Sequence, residues 1–314
     1  MNIEDILTFI EVAEAGGVSA AARRLGLSKS IVSRRLLRLE EELGAQLVAR
    51  TTRGAALTEA GSIFREHASR IGAEIEAARD TIRPAGDLRG RLRVAMPLTF
   101  GPTHFAPVLA DMARRYPLLH IHTVYSDRFV DLVAEGFDCA VRVGYLSDSE
   151  LLARRVGPIY GTLVASPDYV REHGSPGSPT EISDHPALMQ GTETWQFMVE
   201  GRVVTTNPQG RFKADSALAL ATAAAAGLGI AWLPTCIVYD QVVSGALLPI
   251  MTNHPPPTAG AYVVRPPGRH SERKVDVLAD LLTDLFVRDP HFEAIDLRTS
   301  GQSTMGPGPI LRSS

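Results

Sequence analysis

Little in this chain marks it as exported, membrane-bound or catalytic. It has two cysteines, Cys139 and Cys236, both in apolar stretches, which argues against a disulfide framework or thiolate metal site and for two buried, reduced thiols. The first residues, MNIEDILTFIEV, bring acids rather than a cationic segment and a long apolar run. That is not the pattern of a signal peptide, and a cytoplasmic protein is expected. The longest apolar run, Ala217 to Leu233, is interrupted by Thr222, is rich in alanine and carries Gly227 and Gly229 before Pro234. It reads as a helix, a glycine cap and a short strand rather than a membrane span. HExxH, GxSxG, the Walker loop and a GxGxxG after a strand are all missing, so neither an enzyme nor a cofactor is expected. His120 and His122 share one side of an expected strand but have no evident third ligand, and no metal site is expected.

What is present is a local charge imbalance. The whole chain carries a net charge of only −3 over 314 residues, which selects no partner. Between residues 23 and 53, however, the cations Arg23, Arg24, Lys29, Arg34, Arg35, Arg38, Arg50 and Arg53 face only Glu40, Glu41 and Glu42. A basic patch inside an acidic protein is the electrostatic footprint of nucleic-acid binding, although an ordinary solvated helix face would look similar. Ile6, Phe9, Ile10 and Ala13 mark a first helix that Gly16 and Gly17 stop. A short second helix is predicted from Ser19, its cap candidate, to Leu25. Ser28 then caps a third, whose inward stripe is Ile31, Val32, Leu36, Leu39 and Leu43. A small hairpin turns at Arg53-Gly54.

From Thr58 to Ile82 the apolar positions Ala60, Phe64, Ala68, Ile71, Ile75, Ala78 and Ile82 recur at steps of three and four. Such a stripe suits a partner helix or the helix's own domain. Pro84-Ala85-Gly86-Asp87 reads as a linker. Beyond it the pattern changes to alternating strands and helices: strands at 92–96, 121–125 and 139–143, helices at 102–116 and 128–135, then a second run from Gly161 to about Val264. This suggests mostly parallel sheets with covered faces. A last helix spans Val275 to Phe286, and the tail from Asp289, rich in Gly, Pro, Ser and Thr, is expected to be disordered.

The third helix fits a DNA-reading role. Lys29, Ser30, Ser33 and Arg34 lie on its first turns, where a recognition helix enters the major groove, and Arg35 and Arg38 lie within reach of flanking phosphates. The segment VSAAARRLGLSKSIVSRRLLRLEEELGAQLVARTTRGAALTEAG resembles the N-terminal winged helix-turn-helix of LysR-type transcriptional regulators. The resemblance rests on the run Ser19 to Ala22, Leu25-Gly26, Ser33, the block Leu39 to Gly44, Leu47 with Arg50, Leu57-Thr58 and Ala60-Gly61, and extends over residues 1 to 290. Val48 stands where the family usually has an aromatic residue. By the resemblance, Ser19 belongs to the DNA-binding set and Arg53 is the wing's contact to the backbone or minor groove; Arg50 could equally be a structural ion-pair residue.

The same resemblance implies an α/β fold in which a linker helix joins the winged helix-turn-helix to a type II periplasmic-binding-protein-like pair of α/β subdomains. The expected domains are 1–58 for DNA binding, 59–90 for the linker and dimerisation helix with its hinge, 91–290 for effector binding and 291–314 as tail. Within 91–290, one subdomain is 91–160 plus 266–290 and the other 161–265, with crossings near 157–161 and 264–266. It further implies double-stranded promoter DNA as partner, a homodimer through the linker helix or a tetramer built from it, and a small-molecule effector in the cleft. A free solute-binding protein would explain the later half but not the basic helix-turn-helix or the missing signal peptide.

For the effector, Leu98-Thr99-Phe100-Gly101 follows a strand and opens a helix, where free N–H groups favour a small anion. Thr99, which by the resemblance stands at a ligand-contacting position, could donate to that anion, be a plain cap, or do both. Ser126 and Arg142 with Gly144 lie at strand C-terminal ends, and Arg142 could instead be a structural cation. Trp195 and Phe197 could line the cleft or belong to the core, and Asp215 could face it.

Overall fold

In the computed structural model, residues 1–51, 54–82, 88–146, 149–191, 194–267 and 272–293 are described. The N-terminal unit is three helices, α1 (Ile3–Ala15), α2 (Val18–Leu25) and α3 (Lys29–Leu43), followed by the antiparallel hairpin β1 (Val48–Thr51) and β2 (Gly54–Leu57). Gly16, at φ 70°, ends α1, and α2 starts directly from Gly17. The start expected at Ser19 is thus corrected: Ser19 lies inside α2, exposed, and caps nothing. Ser28 does cap α3, its hydroxyl accepting from the Ile31 N–H at 3.3 Å. Phe9, Ala21, Val32, Leu36, Leu39 and Leu47 close one core, and Val48, in place of an aromatic, is buried in it.

The long helix α4 (Glu59–Ile82) divides its apolar stripe between two tasks. Ala60, Phe64, Ala68 and Ile71 pack into that same core, with the Phe64 ring 5.3 Å from Phe9. The first half of the stripe therefore belongs to its own unit. Ile75 lies beyond that cluster, half-buried, and the side chains of Ala78 and Ile82 lie outside the described residues, as do the linker Pro84 to Asp87 and the wing tip with Arg53.

After the linker come β3 (Gly90–Met96), a π-helical turn at Gly101–Phe105, α5 (Ala106–Arg115), β4 (Leu119–Tyr125), β5 (Cys139–Gly144) and β6 (Leu152–Ile159). The chain then passes through Tyr160 into β7 (Gly161–Ala165), α6 (Pro167–His173), β8 (Ala187–Met189), the hairpin β9 (Trp195–Val199) and β10 (Arg202–Thr206), β11 (Phe212–Lys213), α7 (Ala217–Ala225), β12 (Ile230–Pro234), α8 (Thr235–Val243) and β13 (Leu248–Ile250). It returns to β14 (Ala259–Arg265) and α9 (Glu272–Arg288). Two five-stranded sheets result, in the orders β4-β3-β5-β14-β6 and β11-β8-β12-β7-β13. Each is mixed rather than mostly parallel, because β14 runs antiparallel to β5 and β6, and β7 antiparallel to β12 and β13.

Three expectations change here. The return crossing lies within 251–258 rather than at 264–266, since β14 is already a strand of the first sheet. No helix forms at 128–135: Asp131 turns the chain by accepting from the Val133 and Ala134 N–H groups, and Gly136, at φ 71°, ends the turn. Order also continues past Asp289, because Phe292 is buried against Phe286 in the first lobe's core; residues 294–314 lie outside the described set. Helix α8 joins the lobes, with Cys236 in the core of the first and Val238 and Val242 in that of the second. The N-terminal unit meets the first lobe through an ion pair between Glu14 of α1 and Arg91 of β3.

Candidate functional site

On α3, the cations separate into two kinds. Arg38 donates twice to the buried carboxylate of Asp5, at 2.7 and 2.5 Å, and that bond raises the guanidinium pKa above its usual value. Arg35 pairs with Glu4 and reaches the Thr8 hydroxyl at 3.3 Å. Both clamp α3 to α1, so the two cations expected on phosphates are structural ties first. Arg24 is likewise paired, with Glu11. Lys29 and Arg34 are exposed and, among the described residues, have no ion pair. Ser30 is exposed and shares a hydrogen bond with Ser28, and Ser33 is half-buried. The first two turns of α3 thus present Lys29, Ser30, Ser33 and Arg34 as an open polar face.

Several residues that carried the sequence resemblance turn out to be joinery. Glu40 accepts from the N–H groups of Leu47 and Val48 at 2.8 and 3.1 Å, pinning the hairpin to α3. Thr58 donates to the Gln46 carbonyl at 2.6 Å and accepts from the Gly61 N–H at 2.9 Å. A Cβ at Gly61 would sit 2.0 Å from the Leu47 carbonyl oxygen, so only glycine allows α4 to start this close to the wing. The side chain of Arg50 lies outside the described residues.

The second site is a cavity of about 640 Å³ between the two sheets. Met96, Thr99, Phe100, Ser126, Arg142 and Gly144 border it from the first lobe, and Trp195, Gln190, Thr194, Ala217 and Trp232 from the second. Of the residues expected there, Leu98 and Asp215 do not line it. The Leu98 N–H, expected free for an anion, is already bound by the Asp127 carboxylate at 2.8 Å. Asp215 is exposed, and its carbonyl accepts from Gln190. Thr99 caps nothing: the π-turn begins after Phe100, with no side-chain cap. Phe197 is fully buried in the second lobe's core, whereas Trp195 lines the cavity from the same strand.

Sequence reasoning missed Phe129, Arg128, Tyr145, Gln190 and Trp232. The first two sit in the segment expected to be helical, and Trp232 lay inside the alanine-rich run read as a helix, a glycine cap and a short strand. The polar groups are unevenly satisfied. Arg128 donates to Glu135, at 2.8 Å on one side of the fork, and that pairing lowers the Glu135 pKa. Tyr145 donates to the Pro257 carbonyl across the cavity mouth at 2.8 Å. Arg142 lies over the Phe129 ring at 4.8 Å, and burial alone lowers its pKa. Among the described residues no three metal-ligating side chains gather, and no helix is long and apolar enough to cross a membrane.

A winged helix-turn-helix with an open polar recognition face, carried on a long helix ahead of a two-lobed ligand-binding module, defines a ligand-responsive DNA-binding regulator. Residues 3–62 match the bacterial regulatory helix-turn-helix profile of the lysR family, and residues 85–287 match the LysR substrate binding domain. The chain is 31% identical over 300 residues to the HTH-type transcriptional regulator PtxR of Pseudomonas aeruginosa, covering 92% of this chain and 95% of that protein. It is 34% identical over 259 residues to CrgA of Neisseria meningitidis, covering 80% and 85%. Among solved structures, full-length AphB, a virulence activator of Vibrio cholerae, superposes with a TM-score of 0.57 at 26% identity over 90% of this chain and 99% of that one. CrgA superposes with a TM-score of 0.55 at 30% identity over 91% and 99%. The chain belongs to the LysR family of transcriptional regulators, whose members bind promoter DNA and small-molecule effectors and form oligomers; the family is not one of enzymes.

Proposed function

We propose that α3 is the element this regulator sets into the major groove, with Lys29, Ser30, Ser33 and Arg34 at base edges, Ser19 in the same DNA-binding set and Arg53 at the backbone or minor groove. The observation that carries the reading is the division on α3 itself: Arg35 and Arg38 are spent on Glu4 and Asp5, while Lys29 and Arg34 stay exposed and, among the described residues, without an ion pair. A protein that neutralises phosphates loses affinity steeply as salt rises, because counterions are released. A mobility-shift titration on a promoter fragment at two salt concentrations tests this. Lys29→Ala and Arg34→Ala should weaken binding, and variants that bind as the parent does would refute the assignment.

The cavity between the lobes is the effector site in this reading, lined by Thr99, Phe100, Ser126, Arg142, Gly144 and Trp195. The chain works in the cytoplasm, where its DNA is, and divides into a reader, the helix α4 and two lobes. Closing the lobes on a ligand changes the spacing of paired readers, and half-sites about one turn apart make spacing a register question. Pairing runs through α4 at His67, Arg70 and Ile75, which lie outside the N-terminal core, the first two exposed and Ile75 half-buried. Ile75→Asp is therefore the dimer test, since Ile71 also packs into its own domain. The variant should sediment as a monomer with weakened DNA binding, and an unchanged oligomer would refute the contact.

A further inference from the structure

Among the described residues, two cations border the cleft, and only one of them has a carboxylate partner. Arg128 forks onto Glu135. Arg142 has no carboxylate or hydrogen-bond partner among the described residues, only the face of Phe129. That Phe129 ring is 81% exposed, although it borders a cavity. A half-buried guanidinium without an anion, beside an open aromatic face, is a costly pair to leave unfilled. A second donor, the Trp232 indole N–H, is buried with no acceptor among the described residues. The acid on the rim, Asp127, already accepts from Leu98. Phe100 and Phe129 line one side of the cavity, Trp195 and Trp232 the other.

We propose that the effector is a small aromatic monocarboxylate, its carboxylate received by Arg142 and its ring held among Phe129, Phe100 and Trp195. This deepens, and rests on, the reading of the cleft as the effector site. Among the described residues one cation of the lining is left without a carboxylate, and it sets the charge: a second negative group would meet Asp127 on the rim instead of a partner. The aromatic lining sets the shape, because offset or edge-on rings gain beyond the area they bury. The volume, about 640 Å³, suits a ligand of one or two rings.

The chain contains two tryptophans, and both border the cavity, so the emission of the full-length protein reports occupancy. The probes are benzoate, its neutral analogue benzamide, the saturated cyclohexanecarboxylate, and the dianions phthalate and succinate, each followed by fluorescence and calorimetry. Benzoate is expected to bind and change the emission, with benzamide and the dianions weaker by about tenfold or more, the scale of a charge-assisted pair. Arg142→Gln should lower benzoate affinity by a similar factor while melting as the parent does, and Arg142→Lys should restore part of it. Phe129→Leu should weaken benzoate more than cyclohexanecarboxylate. No benzoate binding, equal binding of benzamide, or an unchanged Arg142→Gln overturns the proposal. A dianion that binds better and changes the emission overturns the ligand class but keeps the cleft. Benzoate that binds with neither tryptophan responding overturns the reading of the cleft itself.

Discussion

The DNA-reading unit and the effector cleft draw on chain segments of very different range. The reader is assembled within the first 72 residues, its core shared by three helices, the wing and the first half of α4. The cleft collects residues from Ala95 to Ala259 and needs both sheets placed correctly before any lining side chain meets another. One consequence is energetic. A change in the reader falls on a small core with little to spare, whereas a change at the cleft rim alters chemistry without touching either lobe's interior.

The sharpest way to break this contrast is Phe9→Ala. Phe9 is fully buried and packs against Phe64 of α4, so its loss should cost the reader about 3–5 kcal/mol. Calorimetry should show the N-terminal unit melting early while the two lobes keep their transition; a shift shared by all parts would mean that the reader does not behave as a separate unit. Next in size is Arg34→Ala, which should cost about 1–3 kcal/mol of specific DNA affinity if the guanidinium meets a base edge. Arg38→Ala should instead show itself mainly in the melting of the reader, because it leaves the buried Asp5 without its partner. Smallest is Ser28→Ala, which removes the cap of α3 and should cost about 1 kcal/mol.

The lobes have a pH signature of their own. Burial raises the Cys236 thiol from its usual 9.0 to about 12. Once the pH passes 9.0, the unfolded chain gives up this proton while the folded chain keeps it. The thiol's contribution is therefore complete below that pH and is lost as the pH rises towards about 12. Denaturant titrations should show Cys236→Ala losing less stability than the parent across that window. In the native state at neutral pH, both buried thiols should resist alkylation.

The same contrast of range decides what could be read from the residues. The helix-turn-helix was legible because its signals are local: Ser28 before a helix, Gly44 after it, and Val32, Leu36 and Leu39 inward between them, although Ile31 and Leu43 of the expected stripe are exposed. The split among its arginines was not, since Glu4 and Asp5 lie some thirty residues from Arg35 and Arg38 and only the packing of α1 on α3 brings them together. Of the cavity lining, Ser126, Arg142 and Gly144 were legible from their place at strand ends, and Thr99 from its place between a strand and an expected helix start. Phe129 and Trp232 were missed because neither position has a local signature. The second crossing was misplaced for a similar reason: β14 looks like any apolar strand until its partners β5 and β6 are known.

The proposed function has the open face of α3 read DNA under the control of a ligand in the cleft. It is tested most directly by anisotropy of a labelled promoter fragment titrated with the full-length protein, with and without benzoate, at two salt concentrations. The account predicts salt-steep binding whose affinity or stoichiometry shifts with benzoate in the parent, a benzoate response lost in Arg142→Gln, and weaker binding with a salt slope smaller by about 1 in Lys29→Ala. Binding that ignores salt and Lys29→Ala alike would contradict it.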